Sequence, residues 1–421
     1  MSKWQQTTLG EIVRIGGGRI QTGPFGSQLH ASDYVDVGIP CIMPTNMKNN
    51  RVDLSDIAFI SEQDAKRLSQ HLVQEGDIVY SRRGDVTQKA LIGKSETGYF
   101  CGTGCLLVRP GKAIDANFLT YHLSTPINQD WIVKQAVGAT MPNLNTGILS
   151  DVPLNVPCKE TQQKIAAVLS ALDAKIDCNN RINAELEAMA KTLYDYWFAQ
   201  FDFPDANGKP YKSSGGKLAY NPTLKREIPV GWQHSTIGET FKTYLGGTPS
   251  REKEEYWTPG EVNWLSSGEN PSTFVVDPDE RISNLGLQNS PAKLLPQGTV
   301  ILSIVRHLRA SILGIEAATN QSVVGIVESN KIKHCFIYPY LIREIPRLMV
   351  LRTGAQQPHI NKAVLDESLL ALPDEATLEA YTSLAAPLFL QIKNYHQQNR
   401  ELTNLRDWLL PMLMNGQVTV A

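Results

Sequence analysis

The 421-residue chain predicts an α+β protein of two pseudo-symmetric globular bodies, each followed by a long helix, with the two helices packed on each other as a coiled coil. Three observations predict it: a long internal repeat, a heptad stripe closing each copy, and bodies built of short apolar runs punctuated by Gly and Pro. The length is about 2.8 times a ~150-residue domain, which calls for two or three domains, each able to bury a core.

The repeat is read directly from the chain. Trp4-Gln-Gln-Thr-Thr-Leu-Gly-Glu11 returns as Trp232-Gln-His-Ser-Thr-Ile-Gly-Glu239, five of eight positions being identical. Ile60-Ser61 matches Ile282-Ser283, and Leu72-Val-Gln-Glu-Gly-Asp-Ile-Val-Tyr-Ser81 matches Leu294-Leu-Pro-Gln-Gly-Thr-Val-Ile-Leu-Ser303. Later, Gly138-Ala-Thr-Met-Pro-Asn-Leu-Asn145 matches Gly354-Ala-Gln-Gln-Pro-His-Ile-Asn361. Two long copies in conserved order mean a duplicated domain rather than a solenoid.

Residues 159–200 contain no Gly or Pro. Ile165, Leu172, Asn179, Leu186 and Leu193 recur every seven residues, with Leu169, Ile176, Asn183, Ala190 and Trp197 four after each. The second copy repeats the stripe with Tyr381, Leu388, Tyr395, Leu402 and Leu409, and with Ala385, Ile392, Asn399, Arg406 and Leu413. Such seams encode long helices whose simplest partners are each other, and a 42-residue segment would reach roughly 60 Å. Pro387 and Pro411 predict a kink or an early end in the second helix. Asn183 and Asn399 occupy equivalent seam positions, where a buried Asn fixes register, as expected if a pseudo-two-fold axis relates antiparallel helices. On this reading the helices also act as a ruler that sets the separation between the bodies.

Boundaries follow: a first body over 1–158, a helix over 159–203, a linker over 204–231, a second body over 232–373, and a C-terminal helix and tail over 374–421. The linker assignment rests on the turn formers of Phe201-Asp-Phe-Pro-Asp-Ala-Asn-Gly-Lys-Pro-Tyr-Lys-Ser-Ser-Gly-Gly-Lys217. Runs such as Asp77-Ile-Val-Tyr80 and Thr299-Val-Ile-Leu302 read as buried strands.

Hydrophobic residues at 42% and charged residues at 19% describe an ordinary globular protein. A formal charge of −2 means that any basic surface must be local. Six cysteines after a start without an apolar signal core read as reduced thiols in a cytoplasm, and no apolar run of 18 residues suggests a membrane span. Catalytic and cofactor signatures are missing. Gly93-Lys94-Ser95 lacks the first glycine of a phosphate loop, since Gln88 stands there. No adjacent prolines and no G-x-G-x-x-G support a methyl-donor or nucleotide cofactor. Asp64-Ala-Lys66 and Asp173-Ala-Lys175 match only the end of a nuclease motif and read as solvated helix charges. Cys101-Gly-Thr-Gly-Cys105 reads as a packed thiol pair rather than a zinc site. No cofactor, no metal and no enzymatic activity of the chain alone are expected.

Three sets of matched polar loops remain. A basic strand end in the first body, Arg82 and Arg83 with Gln88 and Lys89 behind, aligns with Arg306, His307 and Arg309 in the second. Arginine can fork two donors onto a guanine edge or a phosphate. Glycine-rich loops carry Arg19, Gln21, Thr22 and Ser27 in one copy and Thr248, Ser250 and Arg251 in the other. The third pair sets Thr140 and Asn143 against Gln356, Gln357 and His359 beside a rigid proline. Taken together these loops point to nucleic acid; each alone is an ordinary polar turn.

These pieces, in this order, resemble the DNA-specificity (S) subunits of type I restriction-modification systems. The resemblance spans nearly the whole chain. It is carried by the repeated Trp-x-x-x-x-[Leu/Ile]-Gly-Glu start, Glu75-Gly76-Asp77 with Gln297-Gly298-Thr299, and the Asn143-Leu-Asn145 loop. Val156-Pro157-Cys-Lys-Glu160-Thr-Gln162 leading into Ile165-Ala-Ala-Val-Leu-Ser-Ala-Leu-Asp173, the linker motifs Phe201-Asp-Phe-Pro204 and Gly208-Lys-Pro-Tyr211, and Ile228-Pro-Val-Gly-Trp232 complete it. The second copy departs at Pro373-Asp-Glu-Ala-Thr377, where the family usually has a Pro-x-x-Glu-Gln helix start. The resemblance implies a non-catalytic reader of double-stranded DNA. Two target-recognition domains would be held apart by antiparallel helices, and two methyltransferase (M) and two restriction (R) subunits would be recruited. The target would be an asymmetric, bipartite one.

Overall fold

In the computed structural model, residues 4–136, 138, 142–268, 272–354 and 356–420 are described. The chain divides into two compact units, Met1–Lys175 with Leu402–Ala421, and Ile176–Glu401. The division runs through both long helices, so each unit owns a body plus a length of each helix.

In the first unit, strands Arg19–Thr22, Cys105–Arg109, Ile78–Ser81 and Lys89–Leu91 form one sheet in that order, antiparallel throughout. Phe100–Cys101, Ile39–Ile42, Ala58–Ile60 and Tyr34–Val35 form a second. The second unit repeats the plan with Lys242–Leu245, Val323–Val327, Val300–Ser303, Arg309–Leu313 and Phe274–Val275, beside Glu280–Ile282, Val262–Leu265 and Ala318–Thr319. Each body is closed by pairing its start with its end: Gln5–Thr8 with Pro153–Val156, and Gln233–Thr236 with Leu369–Leu372. Short parallel pairs such as Trp264 with Ala318 make these sheets mixed rather than purely antiparallel.

The repeated motifs are structural devices. Thr8 and Thr236 cap short helices by accepting the amides of Glu11 and Glu239. The following glycines are dictated by packing: a Cβ at Gly10 would lie 2.7 Å from Ser150 Cβ, and one at Gly238 2.9 Å from Asp366 Cβ. Gly76 and Gly298 hold φ of 85° and 88°, the left-handed turn that feeds each central strand. Asn145 and Asn361 cap helices Thr146–Ser150 and Lys362–Asp366. Buried Asp77 accepts the Arg109 guanidinium at 2.6 Å and the Gln74 amide at 2.8 Å, which ties the turn to the neighbouring strand.

The first long helix spans Lys159–Tyr194, continued by a π turn over Asp195–Ala199; the second spans Glu375–Met414. Of the expected kink or early stop at the prolines, the early stop is corrected: the second helix runs through Pro387 and Pro411. Pro387 removes one amide donor on an exposed face, where water can serve the freed Ser383 carbonyl. The seam positions Ile165, Leu169, Leu186, Ala190 and Trp197 are buried, as are Tyr381, Ala385, Ile392 and Leu413.

Within the second unit the helices run antiparallel, since Asn179 meets Asn399 while Tyr194 and Trp197 meet Tyr381. The two seam asparagines differ in their partners. Asn399 accepts from Asn179 at 2.9 Å and donates to Asn180 at 2.7 Å, whereas Asn183 is 4% exposed with neither amide atom bonded. Antiparallel stagger sets this: equivalent seam positions in the repeat are not opposite positions across the seam. In the first unit, Asp173 accepts both Tyr121 Oη at 2.5 Å and Arg406 at 2.8 Å. The stretch read as a linker is packed: Phe203 stacks on Tyr211 and Trp232, and Leu218–Asn221 pairs with Arg226–Pro229. Turn formers there make a linker that is pinned by aromatic rings.

Candidate nucleic-acid interface

The polar loops converge within each body, and the same backbone bonds assemble them twice. In the first unit, Arg82 N–H donates to Gly104 O and Arg82 O accepts Leu144 N–H, both at 2.8 Å, while Arg83 bridges Asn143. Gly23 N–H donates to Cys105 O at 2.8 Å, bringing in the glycine-rich loop. In the second unit, Ile304 N–H donates to Ser322 O at 2.9 Å, Ile304 O accepts Ile360 N–H at 3.0 Å, and Val305 bridges His359. Gly246 N–H donates to Val323 O at 3.1 Å. These matched bonds equate Arg82 with Ile304, Arg83 with Val305, Gly84 with Arg306, Phe25 with Thr248, and Lys89 with Ala310. The scaffold is shared and the side chains it presents are not.

Arg83 is exposed; Arg82 is half-buried, with its guanidinium 5.9 Å from the Phe25 ring centroid. Arg82 Nε and Asn143 Oδ1 are buried without partners, two orphaned polar atoms in one loop cluster. Arg306, His307 and Arg309 are exposed. Arg306 sits at φ 61°, where Gly84 in the first body has φ 78°. Its left-handed backbone is held by Pro358 O on its amide and by Arg352 Nη1 on its carbonyl, which offset a strain of order 1 kcal/mol. Gln356, Gln357 and His359 are exposed beside it, His359 Nδ1 donating to Gln357 O.

Other sequence candidates are placed differently. Lys89 is only 2% exposed, lies 5.7 Å from the Tyr80 ring centroid, and has its ammonium pushed down to about 7 by burial. It is a core lysine rather than part of the basic surface. Arg19 and Gln21 both donate to Gln70 O, which fixes a neighbouring turn. Gln88 donates to Asp85. Arg251 stacks 3.6 Å from the Trp257 ring centroid and pairs with Glu280. Thr248 donates to Gln321, and Ser250 Oγ accepts the Glu252 amide. Thr22 is half-buried and Ser27 exposed. Thr140 lies outside the described residues.

The turns at Gly104 and Ser322, which hold the arginine loops in place, were not among the sequence candidates. The signal was there in the Gly-Thr-Gly run before Cys105, but it read only as part of a thiol pair. All six cysteines are free thiols, and burial pushes those of Cys41 and Cys335 up to about 12. Gly93 N–H is taken by the Glu96 carboxylate at 2.9 Å, so this loop cradles its own anion. Asp64 accepts Ser61 and Arg67. Among the described residues no cluster of three His, Cys, Asp or Glu could hold a metal ion, and no helix is long and apolar enough to cross a membrane.

A profile of the type I restriction modification DNA specificity domain matches residues 1–188 and 229–378. The MjaIX type I restriction enzyme specificity subunit of Methanocaldococcus jannaschii is 24% identical over 99% of this chain and 94% of its own length. The HindI specificity subunit of Haemophilus influenzae is 20% identical over 99% of this chain and 100% of its own. The crystal structure of an S subunit from M. genitalium shares the fold, with a TM-score of 0.57 at 15% identity over 98% of this chain and 96% of that one.

Proposed function

The chain belongs to the type I restriction-modification DNA specificity family, and from that premise we propose that its two bodies read the two halves of an asymmetric, bipartite target in double-stranded DNA while the chain recruits two M and two R subunits. It is a specificity subunit with DNA-target recognition domains, and it is non-catalytic. One observation carries the asymmetric reading: the same hydrogen-bonded loop frame recurs in both bodies, with Arg82, Arg83 and Phe25 in one replaced by Ile304, Val305 and Thr248 in the other. A common frame keeps each body docked in the same way, while the exposed side chains it carries differ, Arg83 and Phe25 in one body and Arg306 and His307 in the other, where Ile304 is buried, and so read different bases.

Exchanging residues 233–373 for the equivalent body of another family member, followed by methylome sequencing with the cognate M subunit, tests this. One half of the methylated motif changes and the other persists; a change in both halves defeats the modular reading. The helices are proposed to set the unread gap. Four residues inserted between Asn179 and Asn180 add about 6 Å of helix, on the order of two base pairs, while nearly preserving the stripe. Both half-sites persist and the gap lengthens. An active insertion variant that keeps the original gap removes the helices as the ruler.

A further inference from the structure

We propose that Phe25 is a stacking wedge: its ring enters the target duplex and packs on a base in the half-site read by the first body. The proposal rests on the reading of the loop cluster as the DNA face and adds a residue to it. Phe25 is 53% exposed and Gly26 and Ser27 after it are exposed too, while Pro24 before it and Leu29 four residues on are buried. The loop that presents it is tightly held. Gly23 N–H is bonded to Cys105 O, and a Cβ at Gly23 would fall 2.2 Å from Gly102 O, so only glycine fits. Phe25 N–H donates to Gln28 Oε1 at 3.1 Å, and Phe25 O accepts the amides of Gln28 and Leu29 at 2.8 and 3.2 Å.

On so constrained a tip the apolar ring is only half covered by its own body and leaves a face open to a ligand. Among the described residues the ring's cation–π neighbour is the Arg82 guanidinium, whose Nε is buried without a partner. The ring and the arginine together offer a π face for a base and a donor fork for a phosphate or base edge, the pairing found where side chains unstack a base step. Thr248 holds the matching place in the second body and bonds Gln321, so the wedge serves one half-site only.

The test uses the full chain assembled with its methyltransferase subunits. Probes are a duplex carrying the target motif and one with the first half-site scrambled, with 2-aminopurine placed at each position of that half-site. Phe25→Ala lowers affinity for the target by about 10- to 100-fold, leaves the scrambled duplex unaffected, and abolishes a 2-aminopurine fluorescence rise seen with the wild type. Phe25→Trp restores both. Because the ring is exposed, the melting temperature of both variants stays at the wild-type value. Wild-type binding by Phe25→Ala, equal losses on both duplexes, or no fluorescence rise with the wild type overturns the proposal. Arg83→Ala separates the two readings. If it weakens binding while Phe25→Ala does not, only the wedge fails; if neither has an effect, the DNA face itself is misplaced.

Discussion

Alanine at Arg82, Arg83, Arg306 and Arg309 together lowers affinity for the target duplex by on the order of a thousandfold or more. Each arginine lost from a base edge costs about 1–3 kcal/mol, and four such losses at the lower limit already reach that figure. Three of the four side chains are exposed, and Arg82 leans on Phe25 in the same loop cluster. The matched frame does not place the arginines at matched positions, so their roles separate under single substitution. A residue on a phosphate weakens all sequences alike and reduces the salt slope by about 0.9. One on a base relaxes a single motif position and leaves the slope in place. Fluorescence anisotropy over a salt series on target and scrambled duplexes distinguishes these, and unchanged binding by the fourfold variant removes the arginines from the interface.

Acidification destabilises the first unit through His122. The ring is 7% exposed, its Nε2 accepts the Asn155 amide at 3.3 Å, and its Nδ1 lies 2.7 Å from the Asn128 amide nitrogen. Burial pushes its pKa down to about 4 from the ordinary 6.5. The folded state therefore binds fewer protons than the unfolded state between those values. The contribution is fully present above about pH 6.5 and is lost progressively as the pH falls to about 4, where roughly 3 kcal/mol has gone. Carboxylates titrate in the same window, so the comparison that isolates His122 is His122→Gln. The wild type loses about 3 kcal/mol more than this variant between neutral pH and pH 4 in urea unfolding of the first unit. The His122 Cε1 proton titrates near 4 by NMR, and a midpoint at or above 6 contradicts the assignment.

What the linear order of residues determined by itself was whatever depends on near neighbours or on counting. The duplication shows in matched strings, because each copy needs the same caps, tight glycines and left-handed turns at Thr8, Gly10 and Gly76 as at Thr236, Gly238 and Gly298. The helices show in a seven-residue period, because a helix turns its own stripe inward whatever lies opposite. The arginine-bearing loops were legible as candidates, because charge at a strand end is a local property. Only tertiary structure decided which groups face which. Asn399 meets Asn179 and Asn180 rather than Asn183, since the stagger of antiparallel helices is set by packing along the whole seam. Lys89, four residues past exposed Asp85, is buried because its strand pairs with Ile78–Ser81 and brings it against the Tyr80 ring. The turn-rich stretch after Phe201 becomes a pinned hairpin once Trp232 arrives to stack on Phe203, and Pro387 is tolerated because it lies on a solvated face. In each case the deciding partner is distant in the chain, and its position is fixed only when the core closes.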